Sequence, residues 1–269
     1  MLRCDAGPMK TMRAPVAAGH FYPEGADELT SAVDRLLDDA SQTALPRPPA
    51  GLVVPHAGYA YSGPVAAAAF AALRPLASSI RRIVLLGPAH FVSLEGYAIS
   101  GAESWRTPLG EVPVDDELRA AAVGAGATVD EEPHRPEHAI EVQLPFLQRS
   151  LGNGFAILPV AVGVAAPTEV AAFLEAIPSE VVVIVSTDLS HYRDAETARR
   201  LDRRTIDEVV ARRPDAIHPD DACGAFALRG LVEHARRREL DVRVLDLRNS
   251  ADTAGDPTRV VGYAALTVG

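Results

Sequence analysis

Cysteine is nearly absent from this chain: Cys4 and Cys223 are its 2 thiols in 269 residues. No disulfide framework is available, so the expected compartment is the reducing cytoplasm. Positive charge is also short. Lys and Arg number 26 against 36 Asp and Glu, for a formal net charge of -10. A nucleic-acid binder needs a basic stripe to neutralise phosphates, and the charge argues against that class. The basic runs 199–204 and 236–238 fall in helical patterns with acids nearby and read as solvated helix faces. No apolar run reaches the roughly 18 residues that a membrane span needs; the run Val181 to Val185 breaks at Ser186. Residues 1–13 lack the apolar core of a signal peptide, and residues 1–12 are expected to be a mobile start that includes Cys4. Motifs are missing as well. There is no G-x-G-x-x-G, no Walker loop, no H-E-x-x-H and no G-x-S-x-G elbow, which leaves little support for a dinucleotide enzyme, a P-loop enzyme or a Ser-His-Asp hydrolase of the elbow type.

What is present describes an ordinary globular protein, with 48% hydrophobic and 23% charged residues. Leu29, Val33, Leu36 and Leu37 recur at helical spacing over 26–40. A Pro-rich linker over 45–49 leads to an apolar strand at 51–54. Polar turn residues bracketed by Gly58 and Gly63 precede an alanine-rich helix over 64–73. Further strands are expected at 80–86, 97–100, 155–162 and 181–185. Further helices are expected at 115–122, 139–150, 168–177, 196–212 and from about 220 to 238. Pro145 should kink the helix at 139–150 if that helix is continuous. The segment 105–110 reads as an excursion loop, and 241–248 and 259–268 alternate like half-exposed or edge strands. Strands alternate with helices and no composition break or repeat intervenes. The expectation is a single α/β domain over 1–269, with a mainly parallel central sheet flanked by helices.

Three of these strands run into a histidine within a few residues: His56, His90 and His191. The carboxyl ends of parallel strands open on one crevice, so three imidazoles in the same topological place can meet there. Imidazole is a common ligand for zinc, copper and iron. Each histidine also has a plain structural reading when taken singly. Cys223, at a helix start, either completes such a cluster or is a small buried hydrophobe before a glycine. Asp188 lies shortly before His191 and either orients an imidazole or caps the turn. Tyr59 and Tyr61 follow His56 and read as pocket wall. Glu137 and Glu141 share a helical face, as do His138 and Glu141, a pattern that fits either a site lining or a solvated helix start.

The segments 55–63, 86–90, 134–147, 186–191 and 222–224, with 18–23 before them, give the chain a resemblance. It resembles the Memo family, whose prokaryotic members are called AmmeMemoRadiSam system protein B. The motifs run in the family's order across nearly the whole chain. The resemblance implies a fold similar to the class III non-haem iron extradiol dioxygenases, the LigB-like group, with a pocket corresponding to their active site. It implies metal positions at His56, His90 and Cys223, and an acid/base histidine at His191. The dioxygenases hold iron with two histidines and a glutamate. Here the third position is a cysteine, whose softer, oxidisable thiolate favours copper, zinc or another redox role. Two functions follow as expectations. One is a metal-dependent oxidoreductase carrying Fe(II) or Cu, with zinc as the hydrolytic variant. The other is a non-catalytic module that holds a small molecule, a peptide or a protein partner, in a system with AMMECR-type and radical SAM proteins.

Overall fold

The computed structural model describes residues 11–41 and 43–269; residues 1–10, with Cys4 and most of the expected mobile start, lie outside the described residues. The described strands are β1 (Met12–Arg13), β2 (Gly51–Val54), β3 (Arg82–Pro88), β4 (Tyr97–Ile99), β5 (Ser104–Thr107), β6 (Gly110–Pro113), β7 (Thr128–Val129), β8 (Ala156–Val162), β9 (Val182–Ser186), β10 (His191–Arg193), β11 (Val242–Asn249) and β12 (Val260–Val268). The helices are α1 (Ala26–Asp39), α2 (Tyr59–Leu73), α3 (Asp116–Gly124), α4 (Leu144–Leu151), α5 (Pro167–Glu175), α6 (Ala195–Val210) and α7 (Ala225–Arg237).

The main sheet has the order β10-β12-β2-β9-β3-β8-β4-β7, with β11 also on β12. Its centre, β2-β9-β3-β8, is parallel throughout. The flanks depart from the parallel expectation: β12 runs antiparallel to β2, β10 and β11, and β4 antiparallel to β8. The chain is a mixed α/β domain with a parallel core. Alternation along the strands splits the apolar side chains between two layers. Leu52, Val54, Ile83, Leu85 and Ile184 pack with α1, α2 and α4. Val53, Val84, Leu86, Val183 and Val185 pack with α3, α5, α6 and α7. With helices on both faces, these strands read as continuous apolar runs, which is why they were legible.

Several boundaries differ from the sequence expectation. Helix α2 begins at Tyr59, with Pro64 inside it, rather than after Gly63. The early start is satisfied from outside, because Tyr59 N–H donates to Phe21 O at 2.8 Å. Gly63 sits against Leu36 of α1, where a Cβ would meet Leu36 Cδ1 at 2.8 Å. The expected kink at Pro145 becomes a fresh start. A short 3-10 turn over Glu141–Gln143 ends, and α4 opens with Pro145 in its first turn, where no N–H is needed. The excursion loop is a β5–β6 hairpin whose Trp105 is fully buried. Met12, expected in the mobile start, pairs with Ser104 through β1. Strand β12 is neither an edge nor half exposed: β2 and β11 pair with it, and residues 262–268 are all buried.

Among the described residues no helix is long and apolar enough to cross a membrane.

Candidate metal site

The parallel core places the ends of β2, β9 and β3 side by side, and each end hands a side chain to the same crevice. After β2, Pro55 ends the strand and His56 follows, 2% exposed. After β3, His90 enters next to it. The loop before α4 contributes His138. The possible ligand atoms of His56, His90 and His138 all lie within 4.8 Å of one another. The His90 and His138 rings are stacked with centroids 5.2 Å apart, and His56 meets both edge-on at 5.2 and 5.5 Å.

Hydrogen bonds settle which ring nitrogens carry the proton. Ser186 Oγ donates its single proton to Ala139 O at 2.7 Å and accepts from Gln143 Nε2 at 2.8 Å. The 3.0 Å contact between His56 Nδ1 and that oxygen therefore requires Nδ1–H as donor, which leaves the Nε2 lone pair for the crevice. His90 is fixed in the same way. Its Nδ1 lies 3.0 Å from Glu137 Oε1, and its backbone N–H donates to Glu137 Oε2 at 2.8 Å. Glu137 is fully buried and also accepts from the backbone of His138 and Ala139, both at 2.9 Å. A carboxylate behind an imidazole fixes its tautomer and raises its basicity as a ligand.

The protonation states agree with that role. Burial pushes His56 down to about 3, helped by the neighbouring His90. Burial likewise lowers His138 to about 4, with His56 adding to the shift. For Glu137 burial works upward, yet its hydrogen bonds and the His90 charge outweigh it and bring the carboxyl down to about 2. At neutral pH His56 and His138 are neutral imidazoles, and Glu137, behind His90, is an ionised carboxylate.

Cys223 stands on the His56 side, with Sγ 3.1 Å from His56 Nε2. Gly224 permits this approach: a Cβ there would meet Thr187 Cβ at 2.8 Å and Ser186 O at 2.9 Å, so α7 starts directly on the end of β9. Asp188 N–H donates to Sγ at 3.2 Å. Burial, then the Asp188 charge, pushes the thiol above its usual value, so it is a thiol that donates to His56.

The remaining sequence candidates fall at different distances from this centre. Asp188 holds backbone, its Oδ1 accepting from His56 N–H at 2.8 Å, and burial raises its carboxyl. His191 Nδ1 contacts Leu189 O at 2.7 Å, which makes Nδ1 the donor and leaves Nε2 free of that bond. A charge on His191 would lower both His56 and Asp188, so it stands within electrostatic reach of the cluster. Tyr59 donates to Val142 O at 2.6 Å from within the core, and Tyr61 is exposed in the first turn of α2. Glu141 is committed elsewhere. It pairs with Arg13 at 2.7 Å and accepts from Val16 N, Ala17 N and Tyr22 Oη. Residues 137–140 are not helical, so Glu137 and Glu141 do not share the face that their spacing suggests. Sequence reasoning did not anticipate Ser186 and Gln143, since no spacing marks a hydroxyl and an amide that set an imidazole's tautomer. Glu137 was visible as part of a polar cluster, without its partner.

The family described as Memo-like protein matches residues 13–267 of this chain. A MEMO1 family protein of Thermoplasma volcanium is 34% identical over 266 residues, covering 95% of this chain and 97% of its own. A MEMO1 family protein of Methanosarcina acetivorans is 37% identical over 271 residues, covering 96% and 99%. Among solved structures, an uncharacterised protein of Escherichia coli K12 superposes with a TM-score of 0.51 at 10% identity, covering 83% of this chain and all of its own, a likeness of fold.

Proposed function

This chain belongs to the Memo family, and from that premise we propose that its histidine pocket holds a redox-active metal, Fe(II) or Cu, as the centre of a metal-dependent oxidoreductase. One observation carries the reading. Buried acceptors fix the tautomers of His56 and His90 so that two Nε2 lone pairs, with His138 beside them, face one centre. Glu137 behind His90 and Ser186 behind His56 leave each Nε2 with a lone pair for a metal, which at His56 would displace the Cys223 thiol proton.

His56 and His90 are the primary ligands in this reading, joined by His138 or by Cys223. A bound Fe(II) or Cu supplies one-electron chemistry, and imidazole suits both metals. The residues of the chain do the rest. Glu137 holds the His90 ring and keeps its Nδ1 protonated. Ser186 and Gln143 do the same for His56. Phe21 stacks on His138 with centroids 4.2 Å apart and shields one face of that ring from water. His191, with Nδ1–H tied to Leu189 O, offers Nε2 to take or return a proton. A cytoplasmic setting keeps the Cys223 thiol reduced and available.

Metal analysis of protein purified and reconstituted without oxygen tests the proposal. The wild type should take up one equivalent of iron or copper, and His56→Ala and His90→Ala should lose it together. A wild type that stays metal-free after reconstitution with each metal sinks the reading. Zinc uptake with no oxygen consumption would point to a hydrolase with His191 as base. The exposed rings of Phe91 and Tyr61 favour a second reading, a module that holds a peptide or a partner such as an AMMECR-type or radical SAM protein. That reading predicts partner binding that survives chelation and the same substitutions.

A further inference from the structure

The residue after His191 is one of the few non-glycine residues in the left-handed region. Tyr192 has φ of 60°, and its side chain is 63% exposed. Left-handed backbone is unfavourable for a bulky L-residue, because its Cβ crowds the following carbonyl. The strain has a structural setting. Strand β10 pairs with β12 through His191↔Val261 and Arg193↔Val260, so the register slips by one residue and Tyr192 has no partner. This is a β-bulge, and a bulge redirects the side chains beside it.

The segment before the bulge is pinned. Leu189 N–H donates to Gly262 O at 2.8 Å, and Gly262 N–H donates to Ser190 O at 2.9 Å. Ser190 N–H donates to the buried Asp202 Oδ1 at 3.0 Å. Gly262 has no room for a Cβ, which would meet Asp202 Oδ2 at 2.0 Å. His191 lies between this pinned pair and the bulge, so the left-handed turn at 192 holds its backbone from one side while Leu189 O holds its ring from the other, at 2.7 Å from Nδ1. Across the bulge, the Arg259 guanidinium lies over the Tyr192 ring, 4.3 Å from its centroid. Arg259 directly precedes Val260, the partner of Arg193, so this cation–π contact closes the bulge from the opposite strand.

We propose that Tyr192, held in its left-handed conformation by Arg259, is a positioning residue that directs His191 toward the His56–His90–His138 pocket and preserves its Nδ1–H tautomer. The significance of that direction rests on the reading of His191 as the proton-transfer group, but the positioning can be measured without metal or substrate.

The experiment is histidine ring 15N NMR on the full metal-free chain, with the His191 signals assigned by their loss in His191→Gln. The wild type should show His191 in a single Nδ1–H tautomer. Tyr192→Phe should retain it, because a phenyl ring still receives the guanidinium. Arg259→Ala and Tyr192→Val should each give a mixed tautomer population, the first by removing the stack and the second because a β-branched residue resists the left-handed region. Tyr192→Gly combined with Arg259→Ala should restore the single tautomer, since glycine adopts that backbone with no stack to hold it. The signals of His56 and His90 report whether each variant remains folded. Unchanged His191 signals in Arg259→Ala and Tyr192→Val overturn the proposal. So does a folded double variant that stays mixed. Failure of the metal-uptake test leaves these outcomes readable, so the two ideas can fail separately.

Discussion

The Cys223 thiol donates to the His56 Nε2 lone pair that a metal would need, and that contest separates two ligand sets. His56 and His138 are lowered to about 3 and 4, so they are already neutral at pH 7 and release no proton when a metal binds. The Cys223 thiol is raised by burial and must give up its proton to ligate. Calorimetry of metal binding in buffers of different ionisation enthalpy should therefore show about one more proton released per metal by the wild type than by Cys223→Ala if Cys223 ligates. Equal release by the two proteins would leave the three histidines as the ligand set. A second residue prediction concerns Asp202, raised to about 6 mainly by burial. A carboxyl whose folded value lies above its unfolded 3.8 contributes stability that is present below 3.8 and lost as pH rises through 6. Asp202→Asn keeps an acceptor for Ser190 N–H and removes the buried charge. It should raise the unfolding midpoint at pH 8 by the equivalent of about 1–3 kcal/mol and converge on the wild type near pH 4. Equal midpoints at pH 8 would contradict the assignment.

At the scale of elements, the N-terminal segment is what holds the ligand loop. Arg13 donates to His134 O at 2.9 Å, to Glu137 O, and to Glu141 at 2.7 Å, while its guanidinium lies 4.0 Å from the Trp105 ring centroid. One side chain from β1 thus secures both ends of the turn that carries Glu137 and His138. Removing one partner of a buried ion pair is strongly destabilising, because the other charge is left uncompensated. Arg13→Met should cost about 3–5 kcal/mol in urea unfolding and loosen the His90–Glu137 contact. A loss under about 1 kcal/mol would mean that water replaces the guanidinium without penalty. The same network explains Glu141, whose spacing from Glu137 suggested a shared lining role. Its carboxylate is consumed by the N-terminal segment 119 or more residues away, a pairing that no local pattern announces.

Across the whole molecule, the strands β2, β9, β3 and β8 have helices on both faces and partners on both sides. The β5–β6 hairpin and β7 are short and peripheral. Amide hydrogen exchange should therefore be slowest in the parallel four and fastest in β6 and β7, with the crevice at the strand ends resting on the most protected part of the fold. Exchange in β2 or β9 as fast as in β6 would count against that rigid platform. The net charge of -10 bears on solubility and on the partners that are disfavoured, and contributes nothing to the arrangement of the site.

The sequence by itself determined the parallel core, because strands buried on both faces must be nearly all apolar and the turns that end them must be polar. It also determined that His56 and His90 leave that core at the same end. It offered Cys223, at a helix start, as a possible member of the cluster, and family likeness made it a metal position. The tertiary structure decided the rest. His138 joined the cluster, Glu137 rather than Glu141 backed it, and Asp188 held backbone instead of an imidazole. β12 entered the sheet antiparallel as an interior strand, and Tyr192 took a conformation that composition disfavours. The physical reason is common to all of these. Periodicity and propensity report on neighbours along the chain, whereas a hydrogen bond to a buried carboxylate or a register slip depends on residues brought together from distant positions.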